Sequence, residues 1–288
     1  MVPDGKRYIL HRSRLEEFTI WNLSDLHVLN KNADVKAIKK DIKKIKEDPC
    51  AFWLGGGDYA DFIGYRDKRF DPDAVAPDVS IKDLGRLGKV GMEKVRDLFK
   101  PIAGKCLGLL LGNHELSYML KTDQEDLHSW LCTELDVPNL GYSCIFDLAF
   151  VRTNKAKKPR LQLEVEGMRS YELCEFRVYA HHGAGYATTA GGKFNKIGQF
   201  MDNFDAEIYF LGHVHDQMGR RRTQLGGNSN CTKLMKKDRI GVISGSYLQT
   251  YTEGNLPGYG EQRGYSPTVL GAAFVKIKPH LREIRGEI

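Results

Sequence analysis

The chain has 288 residues, of which 41% are hydrophobic and 28% are charged, and its formal net charge is +6. This composition is ordinary for a globular protein and excludes a wholly disordered chain, while the length fits one large domain or two small ones. No apolar run approaches the roughly 18–20 residues of a membrane-spanning helix. The N-terminal segment also lacks the apolar stretch and the cleavage site of a signal peptide, so we expect a cytoplasmic protein with no membrane partner.

Strand and helix patterns alternate in the first half of the chain. Apolar runs of strand length lie at 18–24, 51–54 and 106–111. Helices are predicted from Asp34 onwards, at 92–99 and after Asp123, because apolar residues recur there at helical spacing and an aspartate can cap a first turn. This alternation predicts strand–helix–strand units.

The second half is richer in strands. Strands are predicted at 143–151, 161–165, 175–180, 207–211, 240–244 and 269–277, and a short helix near 195–204. Because strand–helix units come first and further strands follow, we expect an α/β sandwich with a sheet on each side of the core. No repeat or linker divides the chain, so we predict one domain over residues 1–288, with surface insertions at 64–85 and 151–170.

Polar residues directly follow five of the predicted strands. They are Asp25 and His27, Asp58 and Asp61, Asn113, His114 and Glu115, His181 and His182, and His213 and His215. Ligands of open α/β sheets bind beyond the carboxyl ends of the strands, so these clusters are expected to converge at one edge. Carboxylates, imidazoles and an amide suit Mn, Fe, Zn or Mg, and no thiolate takes part. The sequence therefore predicts a metal site.

No single cluster carries this prediction alone. A D-x-H triplet arises often by composition, and Gly-Asp after a strand is most often a turn. His213 and His215 are a stronger pair, because alternate residues on an extended backbone point the same way and can share one metal. Such a pair is nevertheless structural about as often as not. The ordered set of five clusters is what favours the metal site, and no nucleophilic triad or phosphate-binding glycine loop competes with it.

The order of these motifs resembles that of a known family. The sequence has D-x-H at 25–27, G-D-x-x-D at 57–61, G-N-H-E at 112–115, a later His-His pair and G-H-x-H at 212–215. This pattern resembles the calcineurin-like metallophosphoesterases over about residues 18–216. The resemblance implies their α/β/β/α fold, in which helices flank two mixed β-sheets. The HHG box and the Gly/Thr/Lys-rich stretch after it also resemble versions carried by phages and mobile elements, and the subfamily stays open.

The resemblance implies a site for two divalent metal ions. Asp25, His27 and His215 would hold the first metal, and Asp58 would bridge the two. A shared carboxylate offsets the repulsion between two dications. Manganese is the expected metal, with iron, zinc, magnesium or nickel as alternatives.

The second metal would be held by Asn113, by His213 and by one residue of a histidine pair. Family members differ in whether the residue matching His181 or the one matching His182 is the ligand, so both are candidates here. Neighbouring residues on an extended strand point in opposite directions, so only one of the two should be a direct ligand.

Three further residues receive roles from the resemblance. His114 would contact the phosphate and help the leaving oxygen depart, and with Asp58 it is predicted to be catalytic. Asp61 and Glu115 are expected to orient the imidazoles of ligands without binding metal themselves.

The activity that the resemblance implies is phosphoester hydrolysis by attack of a metal-bridging water. We expect a phosphodiester substrate, with DNA or RNA as the candidate. The alternative is a phosphomonoesterase acting on a nucleotide, a sugar phosphate or a phosphoprotein. A non-catalytic scaffold of the same fold is disfavoured, because no ligand position of the motifs is lost. The oligomeric state stays open.

Arg220, Arg221 and Arg222 follow His215 by only a few residues. We expect them to lie near the metals and to contact substrate phosphates. The alternative, of equal weight, is that they are solvated charges on a loop.

Overall fold

The secondary structure begins with strands and helices in alternation and continues mostly as strands. The computed structural model describes residues 1–63, 70, 72–122, 126–164, 173–185, 189–253, 259–262, 264–267 and 269–287. Within them the strands are β1 (Val2–His11), β2 (Phe18–Leu23), β3 (Ala51–Gly55), β4 (Cys106–Leu109), β5 (Ser143–Arg152), β6 (Arg160–Gln162), β7 (Leu173–His181), β8 (Ile208–Leu211), β9 (Met218–Gly227), β10 (Leu234–Ile243), β11 (Ala273–Lys278) and β12 (Glu283–Glu287). The helices are α1 (Val35–Glu47), α2 (Leu87–Phe99), α3 (Asn113–Thr122), α4 (Leu127–Leu135), α5 (Ala190–Asn203) and α6 (Tyr259–Gln262). Among the helices of these residues, none is long and apolar enough to cross a membrane.

The strands form two mixed β-sheets. The seven-stranded sheet has the order β6-β1-β5-β7-β8-β10-β9, and the five-stranded sheet has the order β12-β11-β2-β3-β4. In the first, β7 is parallel to β8 and antiparallel to β5. In the second, β2 is parallel to β3 and antiparallel to β11. The predicted α/β class, with helices flanking two mixed sheets, is confirmed.

Alternation along the strands divides the apolar side chains between layers. On β3, Phe52 points into the core between the two sheets, while Trp53 points into a second core beneath α1, α2 and α4. A third cluster joins α5 to the outer face of the seven-stranded sheet, where Ile197 and Met201 pack against Tyr209. The result is four layers in the order helix, sheet, sheet, helix.

Two helices begin at aspartates that cap their first turn. The Asp34 carboxylate accepts a hydrogen bond from the Ala37 amide at 2.9 Å and starts α1. Asp126 does the same for α4 by accepting from the Ser129 amide at 2.9 Å. The predicted cap Asp123 lies outside the described residues, and the cap of α4 is therefore Asp126.

Three strands were not predicted from the sequence. β1 buries only the last part of its length, β9 buries no residue, and β12 buries only Ile284. β1 and β12 contribute only a few core residues, namely Ile9, Leu10 and Ile284, and these are too few to give an alternating apolar pattern. β9 pairs with β10 as an antiparallel hairpin at one end of the seven-stranded sheet.

Parts of both predicted insertions pack against the rest of the chain. In the first insertion residues 64–69 and 71 lie outside the described part, while Phe70, Val79 and Leu84 pack against a small cluster around Leu29. In the second, β6 pairs with β1, and residues 165–170 lie outside the described part. The single-domain boundary stays a prediction.

Trp53 links the five-stranded sheet to the helices and provides a test of this packing. Its side chain is fully buried, its indole nitrogen donates to the Ile102 carbonyl at 2.9 Å, and its ring lies 4.6 Å from that of Phe99. We expect Trp53→Ala to lower the free energy of unfolding by about 3–5 kcal/mol in urea titrations followed by circular dichroism. Trp53→Phe keeps most of the apolar contact and should cost about 1–3 kcal/mol, because the Ile102 carbonyl loses its donor. A loss below 1 kcal/mol for the alanine variant would contradict this account.

Candidate metal centre

The five polar clusters come together at one edge of the molecule, where the carboxyl ends of strands from both sheets meet. Asn22 at the end of β2 donates to the Leu211 carbonyl at the end of β8 at 2.9 Å, which joins the two sheets at this edge. Three groups of metal-binding side chains have ligand atoms within 4.8 Å of one another. They are Asp25, His27 and His215; Asp58, His182 and His213; and His27, Asp61 and His114. We call the first group, which is centred on Asp25, the first half-site. The second group together with Asn113 is the second half-site.

Left-handed backbone places most of these side chains. Positive φ angles of 49–70° occur at five members of the two half-sites, and only four other non-glycine residues of the described part share this conformation. The five are Asp25, His27, Asp58, His213 and His215. Side chains disfavour this conformation, at a cost of about 1–3 kcal/mol per residue, so it persists only where the surrounding structure imposes it. The sharp turns after β2, β3 and β8 therefore aim the side chains at the centre.

This backbone corrects the expectation that His213 and His215 point the same way. The two residues follow β8 and are not extended, since their φ angles are 70° and 49°. His215 joins Asp25 in the first half-site, whereas His213 joins Asp58 in the second. The pair therefore divides between the half-sites.

The first half-site is built around the buried Asp25 carboxylate. One oxygen, Oδ2, accepts from the Ser24 hydroxyl at 2.5 Å and from the His213 amide at 2.9 Å. The other, Oδ1, lies 3.2 Å from His215 Nε2 and has no hydrogen-bond partner. His215 Nε2 is also 3.2 Å from His27 Nε2. Two imidazole nitrogens and a carboxylate oxygen thus face one point.

The second half-site is fixed by His182, which is fully buried. Its Nδ1 donates to the Gly56 carbonyl at 2.7 Å, which directs Nε2 into the centre. His182 Nε2 lies 2.9 Å from Asn113 Oδ1 and 3.3 Å from Asp58 Oδ2. A backbone carbonyl that holds one imidazole nitrogen is the usual way to orient the other one for a metal.

The side-chain amide of Asn113 completes the set of donor atoms in the second half-site. Its side-chain oxygen lies 2.7 Å from His213 Nδ1, 2.9 Å from His182 Nε2 and 3.1 Å from Asp58 Oδ2. The protonated imidazole of His182 can donate to this oxygen, and a divalent cation among these atoms would bind the oxygen in its place. Together with the unpartnered oxygen of Asp25, this oxygen- and nitrogen-rich donor set fits hard or borderline divalent cations.

The imidazoles of the site differ in protonation, because their pKa values are shifted in opposite directions. Burial, with repulsion from His114 and His215, lowers the pKa of His27 to about 4 and so leaves a neutral ligand. Burial also acts to lower the pKa of His182, but Asp58 and Asp25 outweigh it and raise that pKa to about 10. Because a ligand nitrogen must be deprotonated, metal binding at His182 has to displace a proton.

His181 lies outside the two half-sites. Its ring packs 4.9 Å from that of Phe200 and 5.4 Å from that of Tyr142, and its Nδ1 accepts from the Gly183 amide at 2.7 Å. Burial, with repulsion from His182, lowers the pKa of the His181 imidazole to about 4. Of the two candidates, His182 joins the second half-site and His181 does not, because successive residues at the end of β7 face opposite sides.

Glu115 and Asp61 differ from the expected role of orienting ligand imidazoles. The buried Glu115 carboxylate accepts from the amides of Tyr59 at 2.7 Å and Asp58 at 3.1 Å, so it holds the turn that carries Asp58. Asp61 accepts from the Asn30 amide at 2.7 Å and lies 3.5 Å from Nδ1 of His114. Glu115 thus positions backbone, and Asp61 supports His114.

His114 is charged in this environment. Burial acts to lower its pKa, but the carboxylates of Asp58 and Asp61 outweigh burial and raise the pKa to about 9. Its backbone amide donates to Asp58 Oδ1 at 2.9 Å, and its ring stands edge-on 4.9 Å from that of His27. A protonated imidazole therefore borders both half-sites.

Residue 112, which directly precedes Asn113, has no room for a side chain. A Cβ at this position would collide with the amide nitrogen and the carboxylate of Asp58. The turn before α3 and the turn after β3 can approach this closely only because residue 112 has no side chain.

Arg220, Arg221 and Arg222 lie on β9 and do not join the half-sites. Arg221 pairs with Asp238 at 2.6 Å, and Arg222 pairs with Asp202 of α5. Arg220 lies over the ring of Phe194 at 4.4 Å from its centre. Their predicted contact with substrate stays a prediction.

Sequence reasoning missed Asn30 and Lys193. Asn30 holds Asp61 from 31 positions away, and Lys193 of α5 pairs with Asp216, next to His215, at 3.1 Å. Neither residue has a motif or a spacing that links it to its partner, so only the folded chain reveals these contacts.

The two neighbouring histidines provide a direct test of the second half-site. We expect His182→Ala to remove about one of two bound manganese ions per chain, measured by elemental analysis after dialysis, because the Nε2 ligand is lost. His181→Ala is the matched control and should retain both ions, since its ring faces Phe200. Equal metal loss from the two variants would contradict the geometry.

Comparisons with known proteins close the description of the site. A scan against protein-family models gives no match, and a search of curated proteins gives none. Among solved structures, the calcineurin-like phosphoesterase YfkN from Bacillus subtilis is 11% identical with a TM-score of 0.43, over 91% of this chain and 84% of that one. The NAD nucleotidase NadN of Haemophilus influenzae is 12% identical with a TM-score of 0.38, over 95% of this chain and 49% of that one. A predicted phosphoesterase from Streptococcus pneumoniae is 12% identical with a TM-score of 0.32, over 91% of this chain and 84% of that one.

The five motifs that resemble the calcineurin-like metallophosphoesterases meet at one edge of the fold that the resemblance implies, a pair of mixed β-sheets flanked by helices.

Proposed function

We propose that the protein is a metal-dependent phosphoesterase with two divalent cations, one in each half-site. The observation that carries this proposal is the convergence of two adjacent groups of donors. Asp25, His27 and His215 form one group and Asp58, His182 and His213 the other, and within each group the ligand atoms lie within 4.8 Å of one another. We propose manganese as the cation, with iron, zinc, magnesium or nickel as alternatives. Bound cations would stabilise charge on the phosphoryl oxygens and acidify the attacking water.

The protein's own residues prepare the site for anionic substrates. The Asp58 carboxylate lies within 3.3 Å of His182, and the His182 and His114 charges hold its pKa well below the usual range despite burial. We propose that this carboxylate is shared by the two cations. The neutral imidazole of His27, whose pKa is about 4, gives the first half-site a ligand that needs no deprotonation at neutral pH.

His114 is proposed as the acid that assists the leaving group. The carboxylates of Asp58 and Asp61 raise its pKa to about 9 before any cation binds, and Asp61 would still favour the protonated imidazole once Asp58 holds the cations. Asp61 Oδ1 lies 3.5 Å from Nδ1 without a hydrogen bond and attracts the charged ring, so Nε2 on the other side of the ring is the atom that would donate to a departing oxygen.

We propose a phosphodiester as the substrate, with DNA or RNA as the candidate. Cationic side chains continue from the second half-site onto α5 and β9, where Lys193, Lys196 and Arg220 lie. A substrate that extends beyond the reacting phosphate could contact these groups, whereas a monoester ends at its phosphate on one side. A phosphomonoesterase is the alternative that the first experiment distinguishes.

The proposed activity predicts metal-dependent hydrolysis that fails without Asp58. Protein stripped with a chelator should not cleave bis(p-nitrophenyl) phosphate, and added Mn²⁺ should restore turnover. Asp58→Asn should lower kcat/KM by more than about 100-fold, which is the upper range for residues that only support a ligand. Asp147→Asn is the matched control, because Asp147 pairs with Arg177 on the seven-stranded sheet. Faster cleavage of p-nitrophenyl phosphate would favour the monoesterase, and no cleavage of either ester with any metal would refute the proposal.

The role of His114 predicts a dependence on the leaving group. His114→Ala should retain both metals and slow turnover of an alkyl diester by about 10²–10⁴-fold. The loss should be much smaller for p-nitrophenyl esters, since p-nitrophenolate departs without a proton. Steady-state rates for the two substrate types measure the difference. Equal losses for both would indicate that His114 only positions the substrate.

A further inference from the structure

Helix α5 borders the second half-site. β7 ends at the edge where the half-sites lie, and α5 begins eight residues after His182. Lys193 reaches Asp216, the residue after His215, at 3.1 Å and is only 12% exposed. Lys196 donates to the carbonyl of Ala184, in the turn after His182. The first turns of α5 are thus fastened to the two turns that carry the ligands of the second half-site.

An exposed aromatic side chain occupies the same turns of the helix. Phe194 is 37% exposed. The Arg220 guanidinium lies 4.4 Å from the centre of its ring and donates to the Phe194 carbonyl at 3.2 Å. Gly198 makes room for this guanidinium, because a Cβ there would collide with it. The helix and β9 therefore hold a ring and a guanidinium together at the surface.

The position of β9 places Arg220 near the end of the sheet at which β8 leads into the turn of His213 and His215. β9 begins at Met218, opposite Ile243 at the end of β10, and β10 runs parallel to β8. Arg220 is two residues into β9 and therefore lies close to the edge at which β8 delivers its ligands. Phe194, Arg220, Lys193 and Lys196 form what we call the α5 shelf.

The chemistry of the α5 shelf matches a nucleobase attached to a phosphate. Bases stack on aromatic rings and on guanidinium planes, and stacking tolerates any base. Lys196, which pairs with a carbonyl and not with a carboxylate, supplies positive charge for a phosphate next to the stacked base. A pair that served only to fasten α5 to β9 would gain more from a buried ring than from one that is more than one-third exposed.

We propose that the α5 shelf binds the base of a nucleobase-bearing phosphoester while its phosphate occupies the half-sites. This inference rests on the proposed phosphoesterase function and specifies its substrate class. Phe194 is a specificity residue, and its contact with substrate adds affinity without taking part in bond cleavage.

Two esters with the same leaving group test the shelf in the Mn²⁺-loaded protein. One is the p-nitrophenyl ester of thymidine 5′-monophosphate, and the other is methyl p-nitrophenyl phosphate, which lacks the nucleoside. Phe194→Leu should lower kcat/KM for the thymidine ester by roughly 5- to 100-fold, the range that stacking of one base supplies, mainly through KM. It should change kcat/KM for the methyl ester less than twofold. Phe194→Tyr keeps the ring and should restore the preference for the thymidine ester.

Arg220→Gln should also weaken the preference for the thymidine ester over the methyl ester, as Phe194→Leu does. Its matched control is Arg282→Gln, because Arg282 also lies over a phenylalanine, at 5.0 Å from the ring of Phe176 at the far end of β7. The control should leave the ratio of the two esters unchanged. If Phe194→Leu lowers thermal stability but leaves that ratio unchanged, the pair only fastens the helix and the shelf proposal is wrong.

Binding of a fluorescent eight-residue oligothymidylate separates the shelf from the proposed activity. If neither ester is hydrolysed, the phosphoesterase proposal fails. The shelf proposal then stands only if Phe194→Leu lowers the affinity for the oligothymidylate at least fivefold more than it lowers the affinity for an abasic strand of equal length. Equal weakening of both strands refutes the shelf. If the shelf proposal holds, the same measurement distinguishes two ligands. An affinity for the oligothymidylate that falls steeply between 50 and 200 mM salt indicates that the ligand is a nucleic-acid strand. An affinity for the oligothymidylate no greater than that for thymidine monophosphate indicates a single nucleotide.

Discussion

Two carboxylates, Asp25 and Asp58, lie almost wholly out of contact with water at the edge where the sheets meet. A buried carboxylate is unfavourable unless opposite charge or hydrogen bonds compensate it. Ser24 and the backbone of His213 satisfy one oxygen of Asp25, whereas the facing imidazole of His215 is the neighbour of the other. The rest of the site follows from this need for positive charge, which protonated imidazoles or cations can meet.

The two sheets meet this need jointly. The five-stranded sheet delivers Asp25, His27 and Asp58 from the ends of β2 and β3, and the seven-stranded sheet delivers His182, His213 and His215 from the ends of β7 and β8. Buried polar contacts lock the ends together: Asn22 donates to the Leu211 carbonyl at 2.9 Å, and the Ser244 hydroxyl donates to the Asn22 carbonyl at 2.7 Å. The contacts that pack the two sheets together therefore also determine the distance between the half-sites.

Much of this centre could be predicted from the order of residues. Strand ends in an α/β fold converge, so Asp25, Asp58 and His215 were recognisable as neighbours although they are far apart in sequence. Strand alternation placed His213 and His215 on one side, because it assumes an extended chain and cannot recognise a left-handed backbone. Only the family resemblance divided the pair between the two metals. The choice of His182 over His181 likewise needed the face that each residue presents at the end of β7. Asn30 and Lys193 contact partners to which no sequence spacing connects them.

The left-handed turns also restrict which amino acids could ever serve at these positions. Aspartate, asparagine and histidine tolerate positive φ better than other residues with side chains, and the described half-sites use only these three types. A β-branched residue placed at Asp58 would lose the carboxylate and strain the turn at once. The metal donors and the backbone that presents them are therefore not independent choices. A donor set that suits hard and borderline cations is thus determined by the course of the main chain as much as by the side chains.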